Sequence, residues 1–398
     1  MRLPSALCYN ISCKMNIAVD LTQIPADKTG MGIYAVNLVR ELIRLNNNSK
    51  IFHFYFFVQD DDGEWIRLIE GGSQCRLIPI HAKIFRKLLF RFVFEQVLFP
   101  VKCKKLKIDI IYSFHYTMPY LTRIKRIVNI PDMTFYLFPG LHQKIKRLYF
   151  KSLIPLSLKK SHKIVTISES TKNDMLKRFK GLSPDKIEVI HLGVRPGNPP
   201  VRASQHLDRY GLSKNKYFLF LGTLEPRKNI VSIIKAFHQV ITGDDRYREN
   251  YKLVIAGQKG WFYEKIFETV ERLHLEESVV FTGYANEEVK QPLLANAYLF
   301  VYPSIYEGFG LPVLEAMAYG VPVITANVSS LPEVSGEAAL LVRPGKWQDI
   351  AEAMQKLLSN KKLYENLSTE SLARAKKFSW EQTAKKTLAL FKSSPINN

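Results

Sequence analysis

Short β-rich runs alternate with amphipathic stretches along most of this chain, and that alternation leaves few architectures open. "MNIAVDL" from Met15 is followed by "TGMGIYAVNLVRELIRL", a glycine-bearing turn leading into helical periodicity, and then by "KIFHFYFFV". The rhythm resumes in "YFLFLGT", "NIVSIIKAFHQVI", "YKLVIAG", "YEKIFETVERLHL", "VVFTGY", "EVKQPLLANA" and "LFVYPS". Apolar strands joined through helices read as parallel sheet covered on its faces, so the spacing predicts two α/β units. Between them, residues 195–216, "RPGNPPVRASQHLDRYGLSKNK", are rich in Pro, Gly and polar residues and lack an apolar period. This stretch is the expected linker between a domain at 15–194 and another at 217–375. A last helix is expected within 376–393, where Ser379 and Gln382 of "FSWEQTAKKTLALF" have capping-box spacing.

The 398 residues are enough for about two domains. Cys8, Cys13, Cys75 and Cys103 have neither close pairing nor a histidine cluster, which fits a reduced cytoplasmic protein better than a disulfide scaffold or a zinc site. The start, "MRLPSALCYNISCK", lacks the long apolar core of a signal peptide, and Met15 is an alternative start. The most lipid-like stretch, "KLLFRFVFEQVLFP", is broken by Arg91 and Glu95 and is too short to span a bilayer.

The net charge of +21 is concentrated early: residues 1–200 carry 32 Lys and Arg against 15 Asp and Glu, and the remainder 25 against 21. From Lys83 to Lys107 there are eight basic residues and one acid among Leu, Phe and Val. Such a segment suits either a helix lying on an anionic membrane or a packed helix whose solvated side is basic. Nucleic acid is not expected as a partner, because no recognisable nucleic-acid module accompanies the charge.

In "SIYEGFGLPVLEAMAYGVPVI", Ser304 to Ile324, the expected helix runs from Leu311 to Tyr319, with Pro312 in its first turn and Gly320 beyond its end. Glu307 hangs from the preceding loop, and Glu315 lies one turn inside. Two carboxylates thus border a helix N-terminus, whose N–H groups and partial positive charge suit a nucleotide diphosphate. A plainer role, dipole complement for Glu307 and solvated face for Glu315, is equally open from this stretch. "FLGTLEPRKNI" places Arg227 and Lys228 between a strand and a helix, where a diphosphate needs cations.

With these two signals the chain resembles the retaining glycosyltransferases of family four, which have the GT-B fold of two facing Rossmann-like domains. The resemblance extends through "TGMGIY", "VTISESTKNDMLKRF", "KIEVIHLGV", "LGTLEPRKN", "VIAGQKGW", the stretch from "FTGYANEEVK" through "EGFGLPVLEAMAYG" to "EAALLV", and "FSWEQTA", covering nearly everything from Met15 to Phe391. It implies that the final helix crosses back to the first domain. It also implies that Glu307 contacts donor-sugar hydroxyls near the reaction centre and that Glu315 binds the nucleotide ribose. The backbone around Gly308, Phe309, Gly310 and Leu311 would meet the diphosphate or sugar. Arg227 and Lys228 would neutralise charge on the departing nucleoside diphosphate, replacing a metal. Gly30 and Gly32 would let the first domain's backbone approach the phosphates, although one of them is equally explained by a tight β–α turn. Similar chains often read "TIHD" where this one has "VNIPD", so Pro131 stands in place of a histidine while Asp132 remains. His115 in "YSFHYTMP" is read as a local hydrogen-bonding residue, with a catalytic role as the lesser alternative.

The implied activity is retaining transfer of a hexose from a nucleotide diphosphate sugar, with no cofactor and no metal, to a saccharide or lipid-linked saccharide in surface-glycan synthesis. "LGTLEPRKN" and "SSLPEV" look like the mannosyl-transferring subgroup, making GDP-mannose the first donor choice. The expected location is cytoplasmic, and a peripheral place at the inner face of the membrane is left open. A two-carboxylate hydrolase fits less well beside phosphate-binding cations. "DDDGEW", Asp60 to Trp65, is read as a solvated acidic loop rather than a metal site. A sugar-nucleotide epimerase of similar architecture and a catalytically silent scaffold binding a sugar nucleotide or a membrane are the alternatives.

Overall fold

The computed structural model describes residues 14–24, 28, 30–70, 72–141, 143–197 and 207–394; Cys8, Cys13 and part of the expected linker lie outside them. The chain divides into two compact units, Met1–Thr166 with Met175–Ile190 and Trp380–Asn398, and Ile167–Asp174 with His191–Ser379.

The first unit is built on seven parallel strands: β1 (Met15–Asp20), β2 (Phe52–Gln59), β3 (Cys75–Ile80), β4 (Ile110–Ser113), β5 (Lys125–Asn129), β6 (Lys163–Thr166) and β7 (Ile187–Val189). Their order is β3-β2-β1-β4-β5-β6-β7. The order reverses between β1 and β4, which pair with Ile17 opposite Ile110, and in such sheets ligands bind beyond the strand ends at this reversal. Burial on both faces explains the unbroken apolar runs: Ile17, Ala18, Val19, Ile110 and Ile111 have no exposed surface. The helix Met31–Ser49 follows β1, and the final helix Trp380–Lys392 packs against it. Arg44 reaches Glu381 at 2.8 Å, Tyr34 stacks on Trp380 with ring centroids 6.1 Å apart, and Phe391 meets the rings of Phe52, Phe54 and Tyr112.

The basic segment is a broken helix. A 3₁₀ turn, Ala82–Arg86, precedes the helix Leu88–Val93, a π turn Phe94–Leu98 and the helix Phe99–Lys105. Phe94, Phe99 and Cys103 pack with Ala18, Phe57, Ile80 and Ile111, whereas Leu89, Phe90, Val93, Val97 and Val101 stay exposed.

Two sequence expectations need correction here. The acidic run is not wholly solvated: Asp62 is buried, accepts a bond from the Glu64 N–H at the start of the helix Gly63–Ile69 and pairs with Lys28, while Asp60 accepts from the Ala82 N–H. Its carboxylates are used in capping and pairing. His115 is not a hydrogen-bonding ring at Nδ1, which is buried without a partner among the described residues. Its ring packs on Tyr116 and Phe150, and burial pushes its pKa down to about 3.

The second unit carries six parallel strands, β8 (Tyr217–Leu221), β9 (Lys252–Ala256), β10 (Val279–Gly283), β11 (Leu299–Tyr302), β12 (Val323–Ala326) and β13 (Ala339–Val342), in the order β10-β9-β8-β11-β12-β13. The reversal falls between β8 and β11. Beyond the ends of β8 and β9 the backbones come so close that a Cβ on Gly257 would sit 1.9 Å from the Gly222 carbonyl oxygen, so only glycine fits.

Candidate active site

Both sequence signals emerge from the strands flanking the second unit's reversal. After β8 the chain makes a 3₁₀ turn, Pro226–Lys228, and enters the helix Ile230–Thr242 through Asn229, held in the left-handed region at φ 59°. After β11 it loops to Gly310 and enters the helix Leu311–Ala318, one residue shorter than expected. The two loops are tied together: the Ile305 N–H donates to the Arg227 carbonyl at 2.9 Å, and Asn229 Nδ2 donates to the Pro303 carbonyl at 3.2 Å.

Charge is concentrated where they meet. Glu307 Oε1 lies 2.6 Å from Lys228 Nζ and Glu307 Oε2 lies 3.0 Å from an Arg227 guanidinium nitrogen. Arg227 also reaches Glu225 at 2.5 Å and donates to the Tyr306 carbonyl at 2.6 Å. Lys228 donates to the Tyr302 hydroxyl at 2.6 Å. Glu225, Lys228 and Glu307 are all buried. Burial alone would raise the Glu307 carboxyl, but the Arg227 and Lys228 cations beside it hold it at about 2. Burial lowers the Lys228 ammonium. Two carboxylates and two cations thus balance within one desolvated cluster.

The loop before the second helix is fixed from β12's side. The Glu307 N–H donates to Ser329 Oγ at 3.0 Å, and Ser330 Oγ donates to the carbonyls of Glu307 and Phe309 at 2.9 and 2.7 Å. Gly310 caps the helix at φ 106°, where a Cβ would meet Leu331 Cδ2 at 2.8 Å. The helix therefore begins beside the charge cluster, with its first N–H groups lacking intrahelical acceptors.

Glu315 lies one turn along, and its carboxylate is 2.7 Å from Lys290 Nζ, which also meets Glu287 at 2.7 Å. Burial pushes the Glu315 carboxyl upward despite Lys290. It is a paired, largely buried group, not a solvated face residue. Glu307, Arg227, Lys228 and the Gly308–Leu311 backbone are thus gathered at one place. Gly30 and Gly32 belong to the first unit: Gly30, at φ 36°, precedes the helix Met31–Ser49, and a Cβ there would meet nothing within 4 Å, whereas Gly32 lies buried inside the helix. Asp132 is engaged locally, its carboxylate accepting from the Thr134 N–H and hydroxyl at 2.8 and 2.6 Å.

Glu225, Tyr302, Ser329, Ser330 and Lys290 were not singled out by the sequence, nor was Glu333. Glu333 accepts from the N–H groups of Glu169 and Ser170 at 2.8 and 3.2 Å and meets His191 Nε2 at 2.7 Å. The "LEPRK" and "SSLPEV" stretches contained most of these residues; Lys290 had no local signal. Among the described residues no group of three or more His, Cys, Asp or Glu is placed to hold a metal ion.

Residues 28–197 match the family described as Glycosyltransferase Family 4, and residues 205–374 match Glycosyl transferases group 1. O-antigen chain mannosyltransferase B of Escherichia coli is 31% identical over 377 residues, 92% of this chain and 96% of that one. Sucrose-phosphate synthase from Thermosynechococcus elongatus has a similar fold, with a TM-score of 0.75 at 21% identity over 96% of this chain and 99% of that one. HepE of Anabaena, solved with UDP and glucose, gives a TM-score of 0.73 at 17% identity over 96% of this chain and 100% of that one. With its two parallel sheets and its match across both halves, this chain is a hexosyltransferase belonging to the family-four glycosyltransferases of GT-B fold, in their mannosyltransferase-like branch.

Proposed function

We propose that the chain transfers mannose from GDP-mannose, with retention of configuration and without a metal, to a saccharide or lipid-linked saccharide during assembly of a cell-surface polysaccharide. The observation that carries this reading is the buried Arg227–Lys228–Glu307 cluster beside the helix Leu311–Ala318. Two fixed cations and a helix N-terminus are suited to negative charge growing on a departing diphosphate, and their low-dielectric setting strengthens them. Glu307, set by the same cations, accepts from hydroxyls of the transferred sugar, and Glu315 accepts from those of the ribose. Gly30, at an open helix start, offers backbone N–H groups to an anionic group. The O-antigen relative supports mannose and a polysaccharide acceptor; the complex of HepE with UDP and glucose supports a nucleoside diphosphate leaving group. The basic segment Lys83–Lys107 supports a position at an anionic membrane face, where a lipid-linked acceptor is presented.

A screen of nucleotide sugars in EDTA, with mass-spectrometric detection of product on a short oligosaccharide, tests the reading. Mannosylated product from GDP-mannose is expected. A product from another sugar overturns the donor, and a requirement for added Mg²⁺ or Mn²⁺ overturns metal independence. A catalytically silent sugar-nucleotide binder is the second reading, favoured by Asp132, whose carboxylate is occupied by Thr134 next to a proline. Donor binding without acceptor-dependent release of nucleoside diphosphate would support it.

A further inference from the structure

The helix Lys144–Lys160, in the first unit, shows apolar residues on two sides. Phe150, Ile154 and Leu158 are buried in the core cluster with Val128, Ile130 and Ile164. On the other side, Ile145, Leu148 and Leu156 are 75%, 70% and 42% exposed. Ile145, Leu148, Tyr149, Ser152 and Leu156 recur at the spacing of a single helical stripe. Of these, Tyr149 packs against the core cluster, whereas Ile145, Leu148 and Leu156 face water and are no part of it.

The basic segment repeats the pattern. Leu89, Val93, Val97 and Val101 follow one another every fourth residue, and all are exposed. In a regular α-helix a four-residue step drifts around the axis; the π turn Phe94–Leu98 holds more residues per turn and offsets that drift. The two stripes adjoin. Arg91 lies over the rings of Tyr149 and Phe150 at 5.6 and 5.4 Å, and a shallow groove lined by Leu88, Leu89, Phe92, Tyr149, Ser152 and Leu153 runs between them.

Charge identifies the occupant. From Lys83 to Lys107 the one acid, Glu95, is buried at 2% exposure, and the helix Lys144–Lys160 contains no acid. Lys87, Lys102, Lys104, Lys105, Lys144, Lys146, Lys159 and Lys160 are exposed. An apolar face bordered by cations and free of exposed carboxylates is complementary to an anionic lipid leaflet, with apolar side chains among the acyl chains and ammonium groups at the phosphates. Among the described residues no helix is long and apolar enough to cross a membrane.

We propose that Leu88–Lys105 and Lys144–Lys160 form one two-helix surface that inserts its exposed apolar side chains into the interface of an anionic phospholipid bilayer. This rests on the membrane placement proposed above and changes its nature, from attraction by charge at one segment to insertion by two. Co-sedimentation of the full chain with vesicles of equal parts phosphatidylcholine and phosphatidylglycerol tests it. Leu148→Glu and Leu89→Glu are each expected to lower partitioning at least about tenfold, because each replaces an inserted apolar side chain with a charge. Neither residue is part of the candidate active site, so transfer to a short soluble acceptor should persist. In Leu148→Trp, indole emission should shift to the blue on vesicle addition and be quenched by brominated acyl chains. Wild-type partitioning by Leu148→Glu, unshifted emission in Leu148→Trp, complete release of the wild type by salt, or self-association of the chain in place of vesicle binding would each overturn the proposal. Loss of transfer to the soluble acceptor by the wild type would instead count against the proposed reaction.

Discussion

Lys228 Nζ and Glu307 Oε1 lie 2.6 Å apart, although the two residues are 79 positions apart in sequence and both are buried. A desolvated cation held by a desolvated carboxylate is fixed in place, which in the proposed reaction would leave little reorganisation for the chemical step. The carboxylate also keeps a lysine charged that burial would otherwise tend to neutralise.

Lys228→Ala is expected to cut the single-turnover rate at saturating donor by about a hundredfold or more, the usual scale for removing one group aimed at developing charge. Glu307→Gln, which keeps the shape and loses the charge, should lower turnover more than donor affinity. Rapid-quench kinetics and equilibrium donor binding on both variants separate the effects. An unchanged rate in Lys228→Ala would remove it from the reaction.

Acid should weaken the fold through Glu307. Its folded pKa, about 2, lies below the ordinary 4.5, so its contribution is complete above the unfolded value and is lost as pH falls through the folded one. The wild type should therefore lose thermal stability faster than Glu307→Gln as pH falls from about 4.5 to about 2. Parallel slopes in melting curves over that window would show that the buried pairing does not stabilise the second unit.

If Glu315 holds the ribose as proposed, Glu315→Ala is expected to raise the donor dissociation constant by roughly tenfold to a hundredfold while largely preserving the rate at saturation, since such a contact would persist through the reaction. Lys290→Met should weaken donor binding too, by leaving Glu315 buried without its cation. Titration calorimetry with GDP-mannose and with GDP alone measures both. Equal affinity of Glu315→Ala and wild type for GDP would exclude the ribose contact.

Gly310→Ala should destabilise the second unit by about 1–3 kcal/mol, because φ 106° is poorly suited to alanine and the added Cβ approaches Leu331. Chemical denaturation followed by tryptophan fluorescence, together with donor titration, should show stability and affinity falling together. A fall in stability with intact affinity would separate the shape of this helix start from donor recognition.

The alternating strands and helices were legible because a buried strand and an amphipathic helix each leave a mark within a few residues. Arg227, Lys228 and Glu307 were legible as candidates because each lies where a strand gives way to a helix, and parallel sheets gather such junctions at one edge. Their mutual pairing was not, because it depends on β8 lying beside β11. Lys290 left no mark at all: its partner Glu315 is 25 residues away, on another helix. Asp62 looked like one of three solvated acids and proved to be a buried cap. The basic segment's two faces were not legible because the π turn Phe94–Leu98 moves its side chains off the 3.6-residue period of a regular helix.

The position of Phe391 bears on how the protein is made. Its ring sits against Phe52, Phe54 and Tyr112, so the first unit's core includes a residue made only after the whole of His191–Ser379. The segment His191–Ser379 of the second unit emerges before this closing piece, and domains tend to fold as they appear. During synthesis the nascent first unit therefore waits with an apolar seam uncovered. A chain truncated after Ser379 would keep every segment of the second unit while its first unit stays open to proteases and chaperones.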